Sequence, residues 1–457
     1  MQNIPSLIQN QQKFFNSGQS RDVKFRIQQL KKLKSVFEKY QNECLLALAK
    51  DLGKCRTEGY ITEMVLIRDE LKIAIRNTKK WSKAKRVPTP IVLAVASSYR
   101  QPEPYGVTLI VSPWNYPIAL AFAPLIGAIS AGNTAVVKPS ELAPASSIII
   151  SKIISECFAS EYVTSVEGGV DVATELLQHR YDYIFFTGGT KVGQIYYESA
   201  AKNLTPVTLE LGGKSPCVVD KNVNINETAK RIIFGKYLNC GQSCTAPDYI
   251  LVHTSTKNDL INALKKNVVE MYGENPEDND EYPRIISDGH FDRISLMIDE
   301  KHVVFGGDSN KRKRYIAPTF IDLDSTDHSI MDEEIFGPIL PIFSFENIDE
   351  VKSLIKNKEK PLAVYIFSKN KKVVDDLLQN ISFGGACVND TMTHYANPNL
   401  PFGGVGHSGI GDYHGEFSFK TFSHYKSIFK KSMTIDFTSF VRYAPWKGKF
   451  NVIKKIV

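Results

Sequence analysis

Cysteine is scarce and irregularly placed in this chain. Only seven of the 457 residues are cysteines, an odd number, and no Cys-x-x-Cys pair occurs. This pattern excludes the disulfide framework of a small secreted protein and predicts reduced thiols. Cys240 and Cys244 lie four residues apart in the stretch NCGQSCT (239–245), but no histidine stands close to them in sequence. A zinc site therefore has little support, and we expect no metal.

Long apolar runs are also missing. The longest covers residues 118–131, is interrupted by Pro124 and Gly127, and falls short of the ~20 residues that a membrane-spanning helix requires. Such a run is typical of a buried helix. Residues 1–15 contain no basic segment followed by an apolar core, which is the pattern of a secretory signal. We therefore expect a cytoplasmic protein.

Charge is nearly balanced except at the C-terminus. The formal net charge is +7, and residues 430–457 carry +6 of it, with Asp436 as their one acidic residue. The same segment contains five aromatic residues, Phe437, Phe440, Tyr443, Trp446 and Phe450. A basic and aromatic mixture suits an anionic membrane surface. The alternative, which we favour, is a solvated extension that packs on a partner subunit.

The chain has no internal repeat, heptad array or low-complexity segment, and its first eighty residues have a helical pattern, as in 23–40. From about residue 105, β-branched runs alternate with helical patterns. The first runs are 105–113, 133–141 and 181–189, which precede helical patterns at 117–131, 145–159 and 190–202. After residue 212 the runs 214–220, 248–253 and 363–368 precede helical patterns at 225–237, 257–271 and 371–379. This alternation predicts two α/β domains with mostly parallel sheets, the first of them a Rossmann-like nucleotide-binding domain.

Two strand ends carry residues that suit a nucleotide. Gly188 and Gly189 close a predicted strand directly before a helix, where backbone N–H groups and the helix dipole favour a pyrophosphate. Their spacing to Gly193 does not give the Gly-x-Gly-x-x-Gly fingerprint, so an ordinary tight turn explains the pair equally well. Lys138 and Glu141 follow another strand, at the edge where open α/β sheets bind ligands. They would either hold ribose hydroxyls or form a surface pair.

Two further strand ends carry residues that suit catalysis. Asn115 lies between an aromatic residue and a proline-fixed turn, and a rigid amide at such a place can donate to a developing oxyanion. Most asparagines there only form turns. Glu210 ends a β-rich run, where apolar neighbours would raise its pKa toward the range of a general base. The alternative for Glu210 is an edge residue that faces solvent.

Eight segments, in their order along the chain, resemble the signature segments of the aldehyde dehydrogenases. They are SPWNYP (112–117), NTAVVKPSE (133–141), FTGGTKVG (186–193), LELGGKSP (209–216), NCGQSC (239–244), EEIFGPILP (333–341), FGGACVND (383–390) and PFGGVGHSG (401–409). The resemblance runs from about residue 20 to residue 430. Eight segments in order are far more specific than any one of them. The short N-terminal region and the stretch FGKYLNCGQSCTAPDYILVH (234–253) resemble the class 3 group, which includes fatty-aldehyde enzymes.

The resemblance assigns a role to each candidate. Cys244 matches the nucleophile, Glu210 the general base and Asn115 the oxyanion donor, with the Cys244 backbone N–H as the second donor. The positions that match cofactor-binding residues are Val111, Trp114, Lys138, Glu141, Gly188, Gly189, Val192, Leu211, Glu334 and Phe336. Gly189 departs from the family, because many members carry a hydroxyl or amide side chain there. The implied reaction passes through a thiohemiacetal and a thioester on Cys244, and water activated by Glu210 hydrolyses the thioester to the acid.

The family also implies a domain organisation, an assembly and a cofactor. The implied parts are an NAD(P)-binding domain (1–81 and 102–211), a catalytic domain (212–411), a small β oligomerisation extension (82–101 and 412–430) and a basic aromatic tail (431–457). Class 3-like proteins are typically homodimers that use NAD and often NADP. Glu141 favours NAD, since a carboxylate near the ribose repels a 2′-phosphate. The tail predicts a medium- or long-chain, polyene or aromatic aldehyde.

Three alternatives remain from the sequence. A coenzyme A-acylating semialdehyde dehydrogenase would release a thioester, but such relatives commonly lack the base that Glu210 matches. A catalytically silent relative would not need all three of Cys244, Glu210 and Asn115. A nucleic-acid binder would use the run KRKR (311–314) and the tail, but a lone basic run in a turn-rich loop is usually surface charge. We expect no nucleic-acid partner.

Overall fold

The structure, a computed structural model, describes residues 3–456, and for Phe440, Val441 and Ile456 it describes the backbone alone. Met1 is the start of the predicted NAD(P)-binding domain and Val457 is the end of the predicted tail, and both lie outside the described residues. The side chain of Phe440, one of the tail aromatics, also lies outside them. The helices are α1 (Ile4–Asn16), α2 (Val23–Lys39), α3 (Gln41–Leu52), α4 (Arg56–Gly59), α5 (Val65–Trp81), α6 (Pro117–Ala131), α7 (Pro144–Cys157), α8 (Val170–Leu177), α9 (Thr190–Lys202), α10 (Ile225–Tyr237), α11 (Lys257–Tyr272), α12 (Asp288–Ser295), α13 (Ile348–Lys356), α14 (Lys371–Asn380), α15 (Glu416–Thr421), α16 (Ser439–Arg442) and α17 (Phe450–Ile456). The strands are β1 (Lys85–Val87), β2 (Ala96–Pro104), β3 (Val107–Val111), β4 (Thr134–Lys138), β5 (Val163–Ser165), β6 (Tyr183–Thr187), β7 (Val207–Glu210), β8 (Pro216–Val219), β9 (Tyr249–His253), β10 (Val303–Phe305), β11 (Ser309–Asn310), β12 (Tyr315–Ile316), β13 (Thr319–Leu323), β14 (Ile339–Phe345), β15 (Ala363–Phe367), β16 (Gly385–Val388), β17 (Gly409–Ile410) and β18 (Ser423–Lys431).

The first sheet has the strand order β17-β7-β6-β3-β4-β5. The pairs among β3 to β7 are parallel, and β17 is antiparallel to β7. One face packs on a core that includes α2, α3, α5, α6 and α7, and the opposite face packs on a core that includes residues of α1, α8 and α9. Burial on both faces explains why β3 and β4 read as continuous apolar runs. The predicted Rossmann-like layer is confirmed.

The second sheet has the strand order β10-β13-β14-β9-β8-β15-β16. Its pairs are parallel except for β10 with β13. The sheet packs with α10, α11, α12, α13 and α14 around the third large core of the chain. The predicted second α/β domain is therefore present. Short β11 and β12 form a separate hairpin next to it.

The third sheet consists of β1, β2 and β18. β2 and β18 pair over nine residues in antiparallel register. Pro104 and Ser423 are the only buried residues of its three strands. Three strands need a hydrophobic face or a packed helix for independent stability, and this sheet buries almost none of its own residues.

Helix α6 shows why the apolar run at 118–131 is not a membrane span. Pro117 begins it and Gly132 ends it in the left-handed conformation (φ 103°), which are the residues that favour a helix start and a helix end. Nearly every residue of α6 is buried between the N-terminal helices and the first sheet. Among the helices of residues 3–456, none combines the length and the apolar character required to cross a bilayer.

The domain limits remain a prediction, which the strand pairing refines. β17 lies in the predicted catalytic segment, but it pairs with β7 of the first sheet. Helix α15 lies in the predicted oligomerisation segment, but Phe419 and Phe422 at its end pack in the core beside α6. We propose that both elements return the chain to the first domain before β18 leaves for the third sheet.

Candidate active site

A cleft of about 1200 Å³ lies between the first and second sheets. Segments that follow β3, β6 and β7 form one wall, and segments that precede β9 and β14 form another. In the first sheet β3 and β6 are neighbours, while β4 and β5 lie on the other side of β3. The cleft therefore opens at a topological switch point, where open α/β sheets bind ligands.

The cleft brings most of the predicted residues together. Asn115, Glu210 and Cys244 all line it. So do seven predicted cofactor residues, Trp114, Gly188, Gly189, Val192, Leu211, Glu334 and Phe336. Val111, Lys138 and Glu141 do not. They lie farther along the same sheet edge, where Val111 and Lys138 are paired across β3 and β4 and the Lys138 ammonium contacts Glu141 at 2.7 Å.

Cys244 lies in a constrained loop between α10 and β9. In this loop Asn239 and Cys240 both adopt the left-handed conformation, with φ of 53° and 56°. Each costs ~1–3 kcal/mol for a residue other than glycine, and such a conformation persists only where the surroundings hold it. Gly241 follows at φ 72°, and a Cβ there would lie 2.3 Å from the Gly337 carbonyl oxygen. Close approach and positive φ together require glycine at this position.

The Gln242 side chain fixes the rest of the loop. Its amide Nε2 donates to the Asn239 and Arg284 carbonyls at 3.1 and 3.0 Å, and its Oε1 accepts from the Ile286 N–H at 3.0 Å. The side chain is fully buried and all three contacts are to backbone. Gln242 therefore fixes the backbone of the loop and, with it, the position of Cys244 at the cleft.

Cys240 points away from this chemistry. Its side chain is fully buried, and its thiol donates to the Tyr282 hydroxyl at 3.5 Å. Burial raises the pKa of the Cys240 thiol to about 12. The prediction of a small buried thiol is confirmed, and all seven cysteines of the chain are free.

Glu210 is the last residue of β7 and lies at the base of the cleft. Its side chain is buried, and neither carboxyl oxygen has a hydrogen-bond partner among the described residues. Burial, followed by the nearby negative charge of Asp412, raises the pKa of Glu210 well above its usual value. The alternative of an edge residue facing solvent is wrong. An acid with free oxygens inside a cleft is suited to take a proton from water.

Asn115 presents a rigid amide to the same space. Its side chain is 3% exposed, its Nδ2 donates to the Gln242 carbonyl at 3.1 Å, and its Oδ1 has no partner among the described residues. A primary amide has two N–H donors, so one remains for a ligand. The backbone carbonyl of Asn115 accepts from the Lys54 ammonium and the Asn239 amide, at 3.0 and 2.9 Å. Asn115 is thus fixed at its backbone and open at its side chain.

Burial favours the protonated forms of three acids of the cleft, Cys244, Glu210 and Glu334. Burial, then the charges of Glu334 and Glu210, raises the pKa of the Cys244 thiol above its usual range. Burial, then the charge of Asp248, raises the pKa of Glu334 to about 8. Because only the thiolate is an effective nucleophile, a proton must leave Cys244 before it can attack a carbonyl.

The loop that carries Glu334 and Phe336 is held by charged side chains at its backbone. Lys214 donates to the Glu333 carbonyl at 2.8 Å and pairs with Asp248, which accepts from the Ile335 N–H at 2.9 Å. The Phe336 ring stands edge-on to Trp114, with 5.4 Å between ring centroids. The loop therefore lines the cleft with the Glu334 carboxyl group and with the Phe336 ring, which packs on Trp114.

The N-terminus of α9 is open to the cleft. In the described part of the chain no side chain caps this helix and no atom lies within 4 Å of the place that a Cβ at Gly189 would take, and the first turn carries no acidic residue. Free N–H groups at a helix N-terminus attract phosphate. Together with Glu334 and Phe336, this opening fits a dinucleotide. Gly189, the departure from the family pattern, leaves more room there and removes no backbone donor.

Sequence reasoning missed a group of buried charges beneath the site, Lys54, Glu58 and Glu63. They lie in the region that the sequence analysis assigned only to helices. A lysine and a glutamate four residues apart are typical of an exposed helical face, so no local pattern distinguishes this group. Among residues 3–456, no three His, Cys, Asp or Glu side chains converge as a metal site.

Comparison with known proteins agrees with this geometry. Residues 2–428 match the family model described as "Aldehyde dehydrogenase family". The 4,4'-diaponeurosporen-aldehyde dehydrogenase of Staphylococcus aureus is 48% identical over 443 residues, which is 96% of each chain. Aldehyde dehydrogenase family 3 member A2 of Pongo abelii is 43% identical and covers 96% of this chain and 92% of its own.

A solved structure matches the fold along the whole chain. The structure titled "Substrate bound state of Staphylococcus Aureus AldH" superposes with a TM-score of 0.97, at 46% identity and with 100% of both chains covered.

Proposed function

Since the chain belongs to the aldehyde dehydrogenase family, we propose that Cys244, Glu210 and Asn115 are its catalytic residues and that its substrate is a long apolar aldehyde. The protein is an NAD(P)-dependent oxidoreductase that converts an aldehyde to a carboxylic acid. The observation that supports the assignment best is the convergence of a free thiol, an unpartnered carboxyl group and a rigid amide on one cleft.

The three residues divide the chemistry between them. The Cys244 thiol first loses its proton to solvent water. Its sulfur then attacks the carbonyl carbon, and the oxygen that becomes negative is stabilised by the Asn115 amide and the Cys244 backbone N–H. NAD(P), when bound, supplies the acceptor for the hydride that leaves this carbon. Glu210 then takes a proton from a water molecule whose oxygen attacks the thioester carbon. The C–S bond breaks, the acid is released, and the sulfur of Cys244 becomes free again.

The residues around α9 would hold the cofactor. The uncapped helix N-terminus suits the pyrophosphate, while Glu334 and Phe336 suit the nicotinamide ribose and ring. We propose that Lys138 and Glu141 contact the adenosine ribose at the outer end of the same sheet edge. NAD is the preferred cofactor in this arrangement, because the Glu141 carboxylate would repel a 2′-phosphate, and NADP is accepted less well.

The product is proposed to be a free acid and not a coenzyme A thioester. A buried carboxyl group with two unpartnered oxygens suits the step that brings in water, which an acylating enzyme replaces by thiol transfer. The same unpartnered carboxyl group of Glu210 is evidence against a catalytically silent relative. The KRKR run gives no support to nucleic-acid binding, since Lys311 and Lys313 are paired with Asp292, Glu277 and Asp278.

We expect catalytic efficiency to rise with the length of the aldehyde. Apolar and aromatic side chains line the cleft, among them Leu66, Tyr116, Leu120, Met392, Tyr395 and Phe402. Each methylene that they bury contributes ~0.8 kcal/mol, so kcat/KM should increase roughly three- to fourfold per buried CH₂. The measurement is cofactor reduction with aldehydes from acetaldehyde to long-chain, polyene and aromatic members, with NAD and with NADP. A preference for acetaldehyde would refute the substrate proposal.

We propose that the protein is a homodimer that uses its third sheet. The sheet has almost no buried surface of its own, and among residues 3–456 no strand pairs with the outer edge of β18. An open edge of this length is stabilised by covering it with a partner chain. We also propose a cytoplasmic location, where free thiols such as the half-buried Cys55 and Cys244 stay reduced.

The sequence alone favours packing of the tail on a partner subunit, but the exposure of its aromatic side chains leads us to propose that it contacts an anionic membrane surface without crossing it. Phe437, Trp446 and Phe450 are 73%, 62% and 72% exposed, and lysines flank them. Truncation after Ser432, which leaves β18 intact, should abolish co-flotation with anionic vesicles and lower the activity on vesicle-bound long-chain aldehyde. Activity on soluble aldehydes should stay the same. Sedimentation velocity of the same variant tests the alternative: dissociation into monomers with vesicle binding unchanged would assign the tail to the partner subunit.

A further inference from the structure

A cluster of buried charged side chains lies beneath the cleft, outside the residues assigned to catalysis or cofactor binding. Lys54 lies between α3 and α4, Glu58 lies in α4, and Glu63 lies in the π-helical turn Tyr60–Met64 that follows. Their exposed fractions are 1%, 8% and 0%. We name this group the buried clamp. Charged groups are rarely buried without partners, because desolvation costs free energy, so the contacts of the clamp define what it holds.

One side of the clamp holds the segment that carries Asn115. The Lys54 ammonium donates to the Asn115 carbonyl and to Glu63 Oε1, both at 3.0 Å, and stands 4.0 Å from the centre of the Tyr116 ring. Glu63 Oε2 accepts from the N–H groups of Ile118 and Ala119, at 2.9 and 3.0 Å. These N–H groups begin α6, so the carboxylate occupies the positive end of that helix.

The other side holds the loop that carries Cys244. Glu58 Oε1 accepts from the Asn239 N–H at 2.8 Å. The Asn239 side chain then donates to the carbonyls of Asn115 and Gln242, at 2.9 and 3.0 Å. Asn239 and Cys240 are the two left-handed residues of this loop. Glu58 therefore holds the loop at the first of its two left-handed residues.

The geometry points to the buried clamp as a positioning device that sets the distance between the two oxyanion donors, the Asn115 amide and the Cys244 backbone N–H. The inference rests on the proposed function of these two residues. None of the three clamp residues lines the cleft, so they are positioning residues. A shift of one donor by about 1 Å can lower a rate by about 10²-fold. Loss of the clamp should therefore act on kcat and leave binding intact.

The test compares Glu58→Ala with Glu58→Gln. Burial raises the pKa of Glu58 to about 7, so the uncharged glutamine is a close replacement that keeps an oxygen for the Asn239 N–H. We expect Glu58→Ala to lower kcat about 10- to 100-fold, with both KM values within about twofold of the parent. Glu58→Gln should restore kcat to within about threefold. If Glu58→Ala does not fold, the charge-balanced double variant K54M/E63Q takes its place with the same expectation.

Asp51→Asn provides the matched control. Asp51 is also a buried carboxylate of the N-terminal helices, and it caps α7 through the N–H groups of Ala145 and Ser146, at 3.1 and 2.7 Å. It contacts neither reacting loop. This variant should lower the melting temperature and leave kcat unchanged. An equal loss of kcat in Asp51→Asn and Glu58→Ala, or no recovery in Glu58→Gln, would overturn the inference.

A second readout does not depend on aldehyde oxidation. The rate at which iodoacetamide alkylates Cys244, followed by mass spectrometry of its peptide in the cofactor-free protein, should rise several-fold in Glu58→Ala and remain unchanged in Asp51→Asn. If the parent protein oxidises no aldehyde, the proposed function fails while this measurement still tests the clamp. Equal alkylation rates in all variants of an active enzyme would refute the clamp alone.

Discussion

Replacement of Cys244 with alanine should abolish aldehyde oxidation and leave cofactor binding intact. The sulfur forms the bond on which both half-reactions depend, and loss of the nucleophile in a covalent enzyme lowers kcat by about 10⁶-fold. The side chain lies at the cleft end of a loop fixed by Gln242. Removal of one thiol should therefore not disturb the backbone that receives the cofactor. Steady-state reduction of NAD measures the first effect, and calorimetric titration with NAD measures the second.

Cys240→Ala is the matched control for this variant. The Cys240 thiol is buried against Tyr282 and has a pKa of about 12, so its loss should lower stability slightly and leave kcat within a few-fold of the parent. Persistent activity in Cys244→Ala, with activity lost in Cys240→Ala, would exchange the roles of the two residues. Loss of NAD binding in Cys244→Ala would show that the thiol is part of the cofactor site.

Glu210→Gln should give one burst of reduced cofactor per site and then almost stop. The first half-reaction uses the thiol, whereas hydrolysis of the thioester needs a base that takes a proton from water. Removal of a general base lowers a rate by about 10²–10⁴-fold, so the steady state should fall by that factor with the burst amplitude retained. Rapid-mixing absorbance measures both phases in one experiment. Steady turnover at the parent rate would contradict the assignment of Glu210.

The pH dependence of the parent enzyme follows from the same carboxyl group. Glu210 accepts a proton only when ionised, and its pKa is raised well above the usual value by burial and by Asp412. Hydrolysis should therefore accelerate as pH rises through that raised pKa, and this rise should be absent in Glu210→Gln. Asp412→Asn removes the neighbouring charge, so the same rise should move to lower pH. An unchanged profile in Asp412→Asn would show that another group controls hydrolysis.

Local patterns in the sequence were sufficient for most of the framework. The helical pattern at 117–131 coincides with α6 because Pro117 and Gly132 mark its ends. The pattern at 190–202 coincides with α9, which begins directly after Gly189. Both helices follow buried parallel strands, whose apolar runs are equally plain in the sequence. The three catalytic candidates were identified because each stands beside such an element or within a signature segment.

Contacts between distant segments were not accessible in the same way. The clamp residues look like a helical surface in sequence, and only the fold brings them beneath Asn115 and Asn239. The return of β17 to the first sheet is likewise a tertiary effect, since a two-residue strand has no period to detect. Lys138 and Glu141 show the opposite limit. Their pairing is local, but whether they line the cleft depends on the place of β4 in the sheet, which the strand order sets.

The loop of Cys244 has a consequence for how the enzyme comes to be folded. Its supports are far away in the chain: the Asn115 amide and the Gln242 carbonyl are 127 residues apart, and Glu58 and Asn239 are 181 apart. Closing such long loops costs chain entropy that native contacts repay only once both halves are present. A nascent chain that ends before Cys244 therefore contains strands β3 to β7 of the first sheet, but it lacks β17 and α15 and has no ordered reaction centre. Catalytic competence should arise as one of the last events of folding, when the second sheet docks and the strained loop is captured.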